Sequence, residues 1–284
     1  MKSAADFSVE KTDLRFGAVQ GRLIQSPSRQ LQWFPQEHWE AEFFLASALG
    51  IDYIELIAER KYNPSNPIWS EEGVARIKEL VARLGLSSYT ICDDHIIDHS
   101  LLQGGPKGLD HTLRLLDRAA LLGCSKIILP LFEKSEMAFE NVAEFIEPLR
   151  TIADKAADSG IVVCLETMLK GSELVEALRR IERTNVRVVY DTGNRVAFGH
   201  DIPGDIRLLG GRIALVHIKD KNKANANVLL GTGLVDFLQI FEALAEIKYQ
   251  GSYTFETNRG CDPVRTARFN VGFVNYFHAE AYSR

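Results

Sequence analysis

The chain has 284 residues, of which 46% are hydrophobic, and its formal net charge is -5. This length is close to that of one eight-unit α/β barrel, so a second domain is not required. The acidic balance argues against a general nucleic-acid binder or membrane-surface binder, because both need a basic face.

The first residues and the cysteines predict a cytoplasmic protein. Residues 1–14 lack the basic and apolar regions of a signal peptide, and no apolar run is long enough to span a membrane. The four cysteines are scattered without a CxxC pair, as is typical of reduced thiols, and Cys164 is interpreted as inward-facing filler in its strand. We predict an N-terminal extension over residues 1–14 and one barrel domain over residues 15–284.

Eight short apolar runs predict eight strands. In chain order they are RFGAVQ, IDYIEL, LSSYTI, CSKIIL, IVVCLE, VRVVYD, RIALVHI and SYTFE. Five of them directly follow a glycine that ends a helical pattern, namely Gly50, Gly85, Gly123, Gly160 and Gly251. This alternation predicts an α/β fold, a single (β/α)8 TIM barrel with parallel strands. A doubly wound open sheet is the alternative, but no GxGxxG fingerprint follows the first strand.

The helical segments show the single apolar face expected of an outer ring. Over residues 136–159, apolar residues recur at intervals of three and four, with charges on the opposite side. Ser70 is a predicted N-cap of the second helix, and Asp262 followed by Pro263 is predicted to begin the last helix. Aromatic residues on that last helix are predicted to pack against the barrel, with a dimer face as the alternative: Phe269, Phe273, Tyr276 and Phe277.

The last four predicted strands each end in a candidate metal ligand: Glu166, Asp191, His217 and Glu256. Their separations of 25, 26 and 39 positions leave room for a helix and its loops between successive ligands. In a parallel barrel these strand ends meet at one mouth. Three carboxylates and one imidazole suit manganese, magnesium or cobalt, with zinc as a further alternative. We therefore predict one divalent metal ion, with manganese first.

Several segments carry a family resemblance. They are IWSEEGVARIKELVARLGLSSYTIC in the first half and CLETM, VVYDTGN, LVHIKDK, GTGLVDF and YTFETN in the second. In this order they resemble the xylose-isomerase-like TIM-barrel superfamily of sugar phosphate isomerases and epimerases. Within it they are most similar to the L-ribulose-5-phosphate (or L-xylulose-5-phosphate) 3-epimerases, also called hexulose-6-phosphate isomerases. The resemblance covers most of residues 16–256.

The resemblance implies a divalent-metal-dependent epimerase or isomerase, first a 3-epimerase, of a ketose or ketose phosphate. Glu166, Asp191, His217 and Glu256 would hold the metal, and the two glutamates would also act as acid and base around a cis-enediolate. Removing the C3 proton on one face and returning a proton on the other requires two such groups. The implied partner is a small sugar or sugar phosphate, with no nucleic acid and no membrane. A homodimer or homotetramer stays open.

Six residues are predicted to contact the substrate: Arg22, Glu55, His95, Asn194, Lys219 and Lys223. Asn194 replaces a histidine of similar free-sugar epimerases, which favours the phosphate branch, and Lys223 replaces an arginine. Gln20 and Glu133 are further candidates at the rim, each with a structural alternative. The turn at residues 231–233 either offers backbone amides to a phosphate or only reverses the chain.

Three alternatives use the same scaffold. A metal-dependent dehydratase of a polyol or keto-sugar would begin with the same proton abstraction and then expel a hydroxyl group. A DNA-repair endonuclease would need a trinuclear cluster with more histidines at strand ends, and the acidic net charge disfavours it. A non-catalytic barrel that binds a sugar or a metal would need no second glutamate for proton transfer.

Overall fold

Eight short parallel strands form the centre of the structure, a computed structural model that describes residues 14–27, 30–102 and 107–283. They are β1 (Arg15–Val19), β2 (Tyr53–Ala58), β3 (Thr90–Asp93), β4 (Lys126–Leu131), β5 (Val162–Thr167), β6 (Val186–Asp191), β7 (Ile213–Ile218) and β10 (Ser252–Phe255). They pair in the cyclic order β1-β10-β7-β6-β5-β4-β3-β2 and close a barrel. The predicted (β/α)8 barrel is therefore confirmed. Two short antiparallel strands, β8 (Asp220–Lys221) and β9 (Asn227–Val228), form a hairpin at the mouth after β7.

Helices follow the barrel strands and cover the outside. They are α1 (Trp39–Ala48), α2 (Glu71–Leu84), α3 (His95–Asp98), α4 (Lys107–Leu122), α5 (Val142–Ala157), α6 (Gly171–Ile181), α7 (Thr192–Val196), α8 (Ile202–Leu209), α9 (Phe237–Glu246) and α10 (Pro263–Tyr282). The helix predicted over residues 136–159 begins later than expected, because a 3₁₀ turn at Phe139–Asn141 precedes α5. None of the helices in the described part of the chain has the length and apolarity that a membrane crossing requires.

Both predicted helix caps are present. The Ser70 hydroxyl accepts a hydrogen bond from the Gly73 amide at 3.0 Å, and the Asp262 carboxylate accepts one from the Arg265 amide at 3.1 Å. Each bond satisfies a backbone donor that the first turn of a helix leaves unpaired. Residues 1–13 lie outside the described residues, so the division at residue 14 stays a prediction.

Four of the five glycines predicted at helix ends have a positive φ angle, and the fifth prediction is wrong. Gly50, Gly85, Gly123 and Gly160 have φ between 67° and 80°. After α9, however, it is Lys248 that takes the left-handed conformation, with φ of 55°. Gly251 lies further along, where a Cβ atom would overlap the Tyr249 ring. Close packing is the reason for this glycine.

The barrel interior is filled by side chains up to the layer below the mouth. Val19, Ile57, Ile128, Cys164 and Val189 form one buried cluster along the axis. Cys164 is fully buried there, and burial raises the pKa of its thiol to about 12. Its interpretation as inward filler is confirmed. Because side chains two positions apart share a strand face, the next inward position on β5 lies one layer higher, at the mouth.

The aromatic residues of α10 divide into packed and exposed members. Phe273 lies 4.9 Å from the Phe237 ring and Phe277 lies 6.5 Å from the Phe241 ring, measured between ring centroids. These contacts hold α10 against α9. Phe269 is 51% exposed and Tyr276 is 61% exposed, so the dimer face stays an open alternative.

We predict that Gly17→Ala lowers the free energy of unfolding by about 1–3 kcal/mol through overpacking. Gly17 in β1 lies between Tyr53 of β2 and Thr254 of β10. The Tyr53 ring crosses the glycine, and its hydroxyl hydrogen-bonds to Thr254 Oγ1 at 2.6 Å. A Cβ atom on Gly17 would overlap this buried ring. Urea unfolding measures the effect.

Gly272→Ala in α10 is the matched control. A Cβ atom at this exposed position meets no heavy atom within 4 Å among the described residues. Removing a glycine from a helix interior stabilises the helix by about 0.5–1 kcal/mol, so this variant should unfold at equal or higher urea. Equal midpoints for Gly17→Ala and wild type would contradict the packing of Tyr53 across β1.

Candidate active site

The four predicted ligands meet at the mouth of the barrel. Glu166 lies near the end of β5, Asp191 ends β6, His217 is the second-last residue of β7, and Glu256 follows β10 by one residue. One donor atom from each lies within 4.8 Å of the others. These strands are neighbours in the barrel, and their register places Asp191 directly beside His217.

The orientation of His217 fits a metal ligand. Its Nε2 atom lies 3.1 Å from Glu55 Oε1, and both side chains are buried. Its Nδ1 atom has no hydrogen-bond partner, although it lies 3.3 Å from Glu256 Oε2. A carboxylate that holds the far nitrogen of a metal-binding histidine fixes the ring and its tautomer. Glu55, which is predicted to contact the substrate, lines the cavity and also contacts this imidazole.

Asp191 brings both of its carboxylate oxygens to the site. Its Oδ1 atom accepts a hydrogen bond from the Asn194 amide at 2.5 Å, which begins α7, while Oδ2 lies 3.0 Å from Lys219 Nζ. Buried carboxylates close to one another are costly, and a cation is one way to compensate them. Three carboxylates and an imidazole whose Nδ1 atom has no hydrogen-bond partner among the described residues are a donor set suited to a divalent ion.

The two glutamates have opposite pKa shifts. Burial, together with the nearby Glu256 and Asp191 carboxylates, raises the pKa of Glu166 to about 8, against the opposing effect of His217. Burial also opposes ionisation of Glu256, but Lys219, His217 and other positive neighbours outweigh it and hold its pKa well below the usual range. Two carboxyl groups in one site thus have different affinities for a proton, as acid and base pairs in enzymes do.

Lys219 and Asn194 contact three of the four predicted metal ligands. Lys219 Nζ lies 2.8 Å from Glu256 Oε2 and 3.0 Å from Asp191 Oδ2. Asn194 Oδ1 accepts from this ammonium at 3.3 Å, and Asn194 Nδ2 donates to Glu166 Oε1 at 3.2 Å. Burial disfavours the charged amine, yet the surrounding carboxylates raise the pKa of Lys219 above its ordinary value. Both residues lie where the sequence places them, in the cavity.

Arg22 reaches the same cavity from β1. Its guanidinium lies 3.5 Å from Glu256 and donates to Gln32 Oε1 at 3.0 Å. Gln32 in turn donates to Asp94 Oδ2 at 2.6 Å, and burial raises the pKa of Asp94 to about 6. Sequence reasoning missed both Gln32 and Asp94. Asp94 follows β3 directly, so it had the same strand-end signal as the four ligands, whereas Gln32 lies in an irregular loop.

Two predicted substrate contacts lie away from the cavity. His95 begins α3, where the chain has already turned outward, and its Nδ1 atom contacts the Arg60 carbonyl oxygen at 3.0 Å. Its ring stacks on His111 at 3.9 Å in a second cavity, and burial lowers the pKa of His95 to about 4. Lys223 is exposed in the turn of the β8–β9 hairpin, and Lys221 lines the cavity instead.

The remaining rim candidates have structural roles or ion-pair partners. The Gln20 side chain accepts a hydrogen bond from the Ile57 amide at 3.2 Å, so it ties β1 to β2. Glu133 does line the cavity, paired with Arg60 at 2.5 Å. The whole cavity has a volume of about 780 Å³ and includes Arg22, Glu55, Asn194 and Lys219 among its walls.

The turn at residues 231–233 is filled by a side chain of the protein itself. The amides of Gly231 and Gly233 donate to Asp220 Oδ2 at 3.0 and 2.8 Å, and the Val235 amide donates to Asp220 Oδ1 at 3.1 Å. The suggestion that these amides hold a phosphate is therefore wrong. An internal carboxylate already takes the position that an external anion would need.

A parallel barrel with acidic and imidazole side chains at its mouth is typical of enzymes. Comparison with known protein families shows which family this chain belongs to. A family model described as the xylose isomerase-like TIM barrel matches residues 43–275. The chain therefore belongs to the xylose isomerase-like TIM barrel family, as its motifs predict.

Curated relatives are epimerases. An L-ribulose-5-phosphate 3-epimerase from Salmonella paratyphi A is 26% identical over 237 residues, covering 78% of this chain and 82% of that protein. An L-ribulose 3-epimerase from Methylomonas sp. is 32% identical over 126 residues, covering 42% of this chain and 43% of that protein. These relatives confirm the prediction that the chain is an enzyme of the isomerase and epimerase class.

Solved structures share the fold. A D-psicose 3-epimerase from Clostridium cellulolyticum H10 has a TM-score of 0.75 at 19% identity, covering 93% of this chain and 99% of that chain. The IolI protein, described with a binding zinc atom, has a TM-score of 0.72 at 16% identity, covering 95% of this chain and 98% of that chain.

We predict that Glu55→Gln weakens divalent-metal binding about 10–100-fold, because outer partners of metal-binding histidines have effects of this size. Competition with a chelator at fixed pH, using manganese and zinc, measures the affinity. Glu42→Gln is the control, since Glu42 is also a buried glutamate but accepts from the Gly21 and Leu23 amides. A similar loss of affinity in both variants would contradict a specific role of Glu55.

Proposed function

We propose that the chain is a divalent-metal-dependent epimerase or isomerase of a ketose or ketose phosphate, first a 3-epimerase. The observation that carries this proposal is the placement of Glu166 and Glu256 on either side of Asp191 and His217 in one cavity. A binding site for a metal alone needs ligands, whereas epimerisation also needs a second group that exchanges a proton. The names of the curated relatives point to the same reaction class.

Glu166, Asp191, His217 and Glu256 would hold the ion, with manganese preferred and magnesium, cobalt or zinc as alternatives. A divalent ion held there would supply positive charge to the oxygens of the substrate, which would make the C3 proton easier to remove. The buried walls restrict water around these charges, and this strengthens each electrostatic interaction.

The two glutamates exchange the proton. One carboxylate takes the proton from C3 and becomes a carboxylic acid, and the electron pair left on the substrate is delocalised as a cis-enediolate. The other glutamate, in its acid form, gives a proton to the opposite face of C3, so the configuration inverts. Which of Glu166 and Glu256 acts as the base depends on the configuration of the substrate. Lys219 and Asn194 hold the two carboxylates apart by hydrogen bonds.

The alternatives make different demands. A dehydratase uses the same first step, so product analysis must separate it from the epimerase. A trinuclear endonuclease needs many more ligands, and in the described residues only the one group of four converges. A homodimer or homotetramer and a cytoplasmic location stay predictions.

Glu166→Gln and Glu256→Gln should each lower metal-dependent formation of the C3 epimer by at least about 10²-fold, the effect expected for loss of general acid or base catalysis. Because the remaining glutamate can still remove and return the proton on its own face, C3 proton exchange without epimer formation is expected to persist in one of the two variants for a given epimer. The measurement is NMR in deuterated water over a panel of pentuloses, hexuloses and their phosphates, at saturating manganese with bound metal quantified. The surface variant Glu140→Gln should keep wild-type rates.

Three results of that experiment would count against the proposal. Epimer formation at the wild-type rate in either glutamine variant would exclude the two-glutamate mechanism. Loss of water from the substrate would favour the dehydratase. Wild-type exchange that persists after complete chelation of the metal would exclude the metal dependence.

Lys219→Met should lower kcat for exchange by about 10²-fold, because it removes a buried positive charge beside the reacting groups. Its ammonium lies 2.8 Å from Glu256, so the pH profile of kcat should also shift. Lys223→Met is the matched control on the same hairpin segment and should leave both quantities unchanged, since Lys223 is exposed. Identical pH profiles for wild type and Lys219→Met would contradict this role.

A further inference from the structure

We infer that the cavity takes an unphosphorylated ketose, an inference that rests on the function proposed above. A phosphate group on a sugar is a dianion, and burying it requires free cations or backbone amides that point at it. Among the described residues of the cavity, almost all cations and backbone amides are already paired with the protein's own carboxylates.

The backbone amides of the loop after β7 already have an anionic partner. In TIM barrels a phosphate is frequently held by the loops after the last two strands. Here the loop after β7 gives three amides to Asp220, which is fully buried. Each such charge-assisted bond stabilises the loop, so a phosphate would have to displace a carboxylate that cannot leave the protein.

The N-termini of nearby helices are also filled. The Gly171 amide at the start of α6 donates to Asp205 Oδ1 at 2.8 Å. Asp236 caps α9 through the Gln239 amide at 3.1 Å, and Asp262 caps α10 in the same way. The positive ends of these helices therefore already have a negative partner.

Three of the four lysines and arginines that line the cavity are paired with carboxylates. Arg22 lies 3.5 Å from Glu256, and Lys219 lies between Glu256 and Asp191. Arg60, at the wider part of the mouth, lies 2.5 Å from Glu133 and 3.7 Å from Asp98. An ion pair already made leaves little net charge for a second anion.

Lys221 is the exception among the lining lysines and arginines that the structure describes. Its Nζ atom donates to Asn225 Oδ1 at 2.8 Å, and it forms no ion pair with a carboxylate of the described residues. One half-buried lysine is a weak partner for a dianion, and six carboxylates line the same cavity against four lysines and arginines. A divalent ion at the mouth would bring this lining close to neutral rather than positive.

The other walls suit a neutral polyol. Gln32, Asp94 and Asn225 already hydrogen-bond within the protein, but each keeps a further donor or acceptor position. Together with Asn227, which also lines the cavity, they can pair with hydroxyl groups. Apolar surfaces from Ile97, Phe132 and Phe198 lie between them. A few placed polar groups on apolar walls are typical of sites for uncharged ligands, and hydroxyl recognition needs paired hydrogen bonds rather than charge.

The test compares each free ketose of the panel with its terminal phosphate on the manganese-loaded protein. Exchange of the C3 proton gives kcat/KM, and calorimetry gives the dissociation constant. We expect the best free ketose to have a kcat/KM at least tenfold higher, and a dissociation constant at least tenfold lower, than its phosphate. A phosphate that is used or bound as well as the free sugar, or better, would overturn the inference.

Binding separates failure of this inference from failure of the proposed function. If a free ketose binds at least tenfold more tightly than its phosphate but no proton exchange occurs, the substrate class stands and the epimerase function fails. If phosphates bind and exchange, the function stands and the substrate class is wrong. If neither form binds, the inference is overturned.

Glu133→Gln tests the charge argument directly. This change removes the closest partner of Arg60 and should shift the phosphate-to-free ratio of kcat/KM toward the phosphate at least threefold. Glu140→Gln is the control, since Glu140 is exposed and lies outside the lining. An unchanged ratio in Glu133→Gln would contradict the claim that paired cations exclude the phosphate.

Discussion

Closure of the barrel forces three carboxylates and an imidazole together at the ends of four neighbouring strands. Carboxylates at this distance repel one another, and burial increases the cost of keeping them charged. The raised pKa of Glu166 is a direct result. A cation at their centre relieves both costs. The His217 Nδ1 atom has no hydrogen-bond partner among the described residues, and it lies 3.3 Å from Glu256 Oε2 and 3.9 Å from Glu166 Oε2. The rest of the site depends on this constraint.

The surrounding residues compensate the same charges from outside. Glu55 fixes His217, while Lys219 and Arg22 lie against Glu256 and keep it ionised. The ammonium and the guanidinium therefore lie beside Glu256, whereas Glu166 has the Asn194 amide beside it. The same ion pairs neutralise most of the positive charge of the cavity. The contacts that hold the two glutamates therefore also disfavour a phosphorylated ligand.

The sequence predicted the barrel and the four converging side chains because three signals are local. They are the spacing of apolar residues, the glycines at helix ends and the charged residues at strand ends. It could not predict long-range partners. Nothing local shows that Glu55 contacts His217, 162 positions away, or that Asp220 fills the turn at residues 231–233. His95 was predicted to line the cavity, but a shift of one residue after a strand decides whether a side chain points into the mouth. Asp94, not His95, is the residue that lines the cavity. Gly251 was misread because a packing glycine and a helix-end glycine look alike in sequence.

We propose that one divalent ion lies among Glu166, Asp191, His217 and Glu256. The decisive measurement is anomalous diffraction at the manganese edge, from crystals grown with manganese. We expect a single strong peak within coordination distance of all four side chains, with Glu55 still bonded to His217 Nε2. The absence of a peak there, or a peak only in the second cavity beside His95 and the stacked His111, would contradict it.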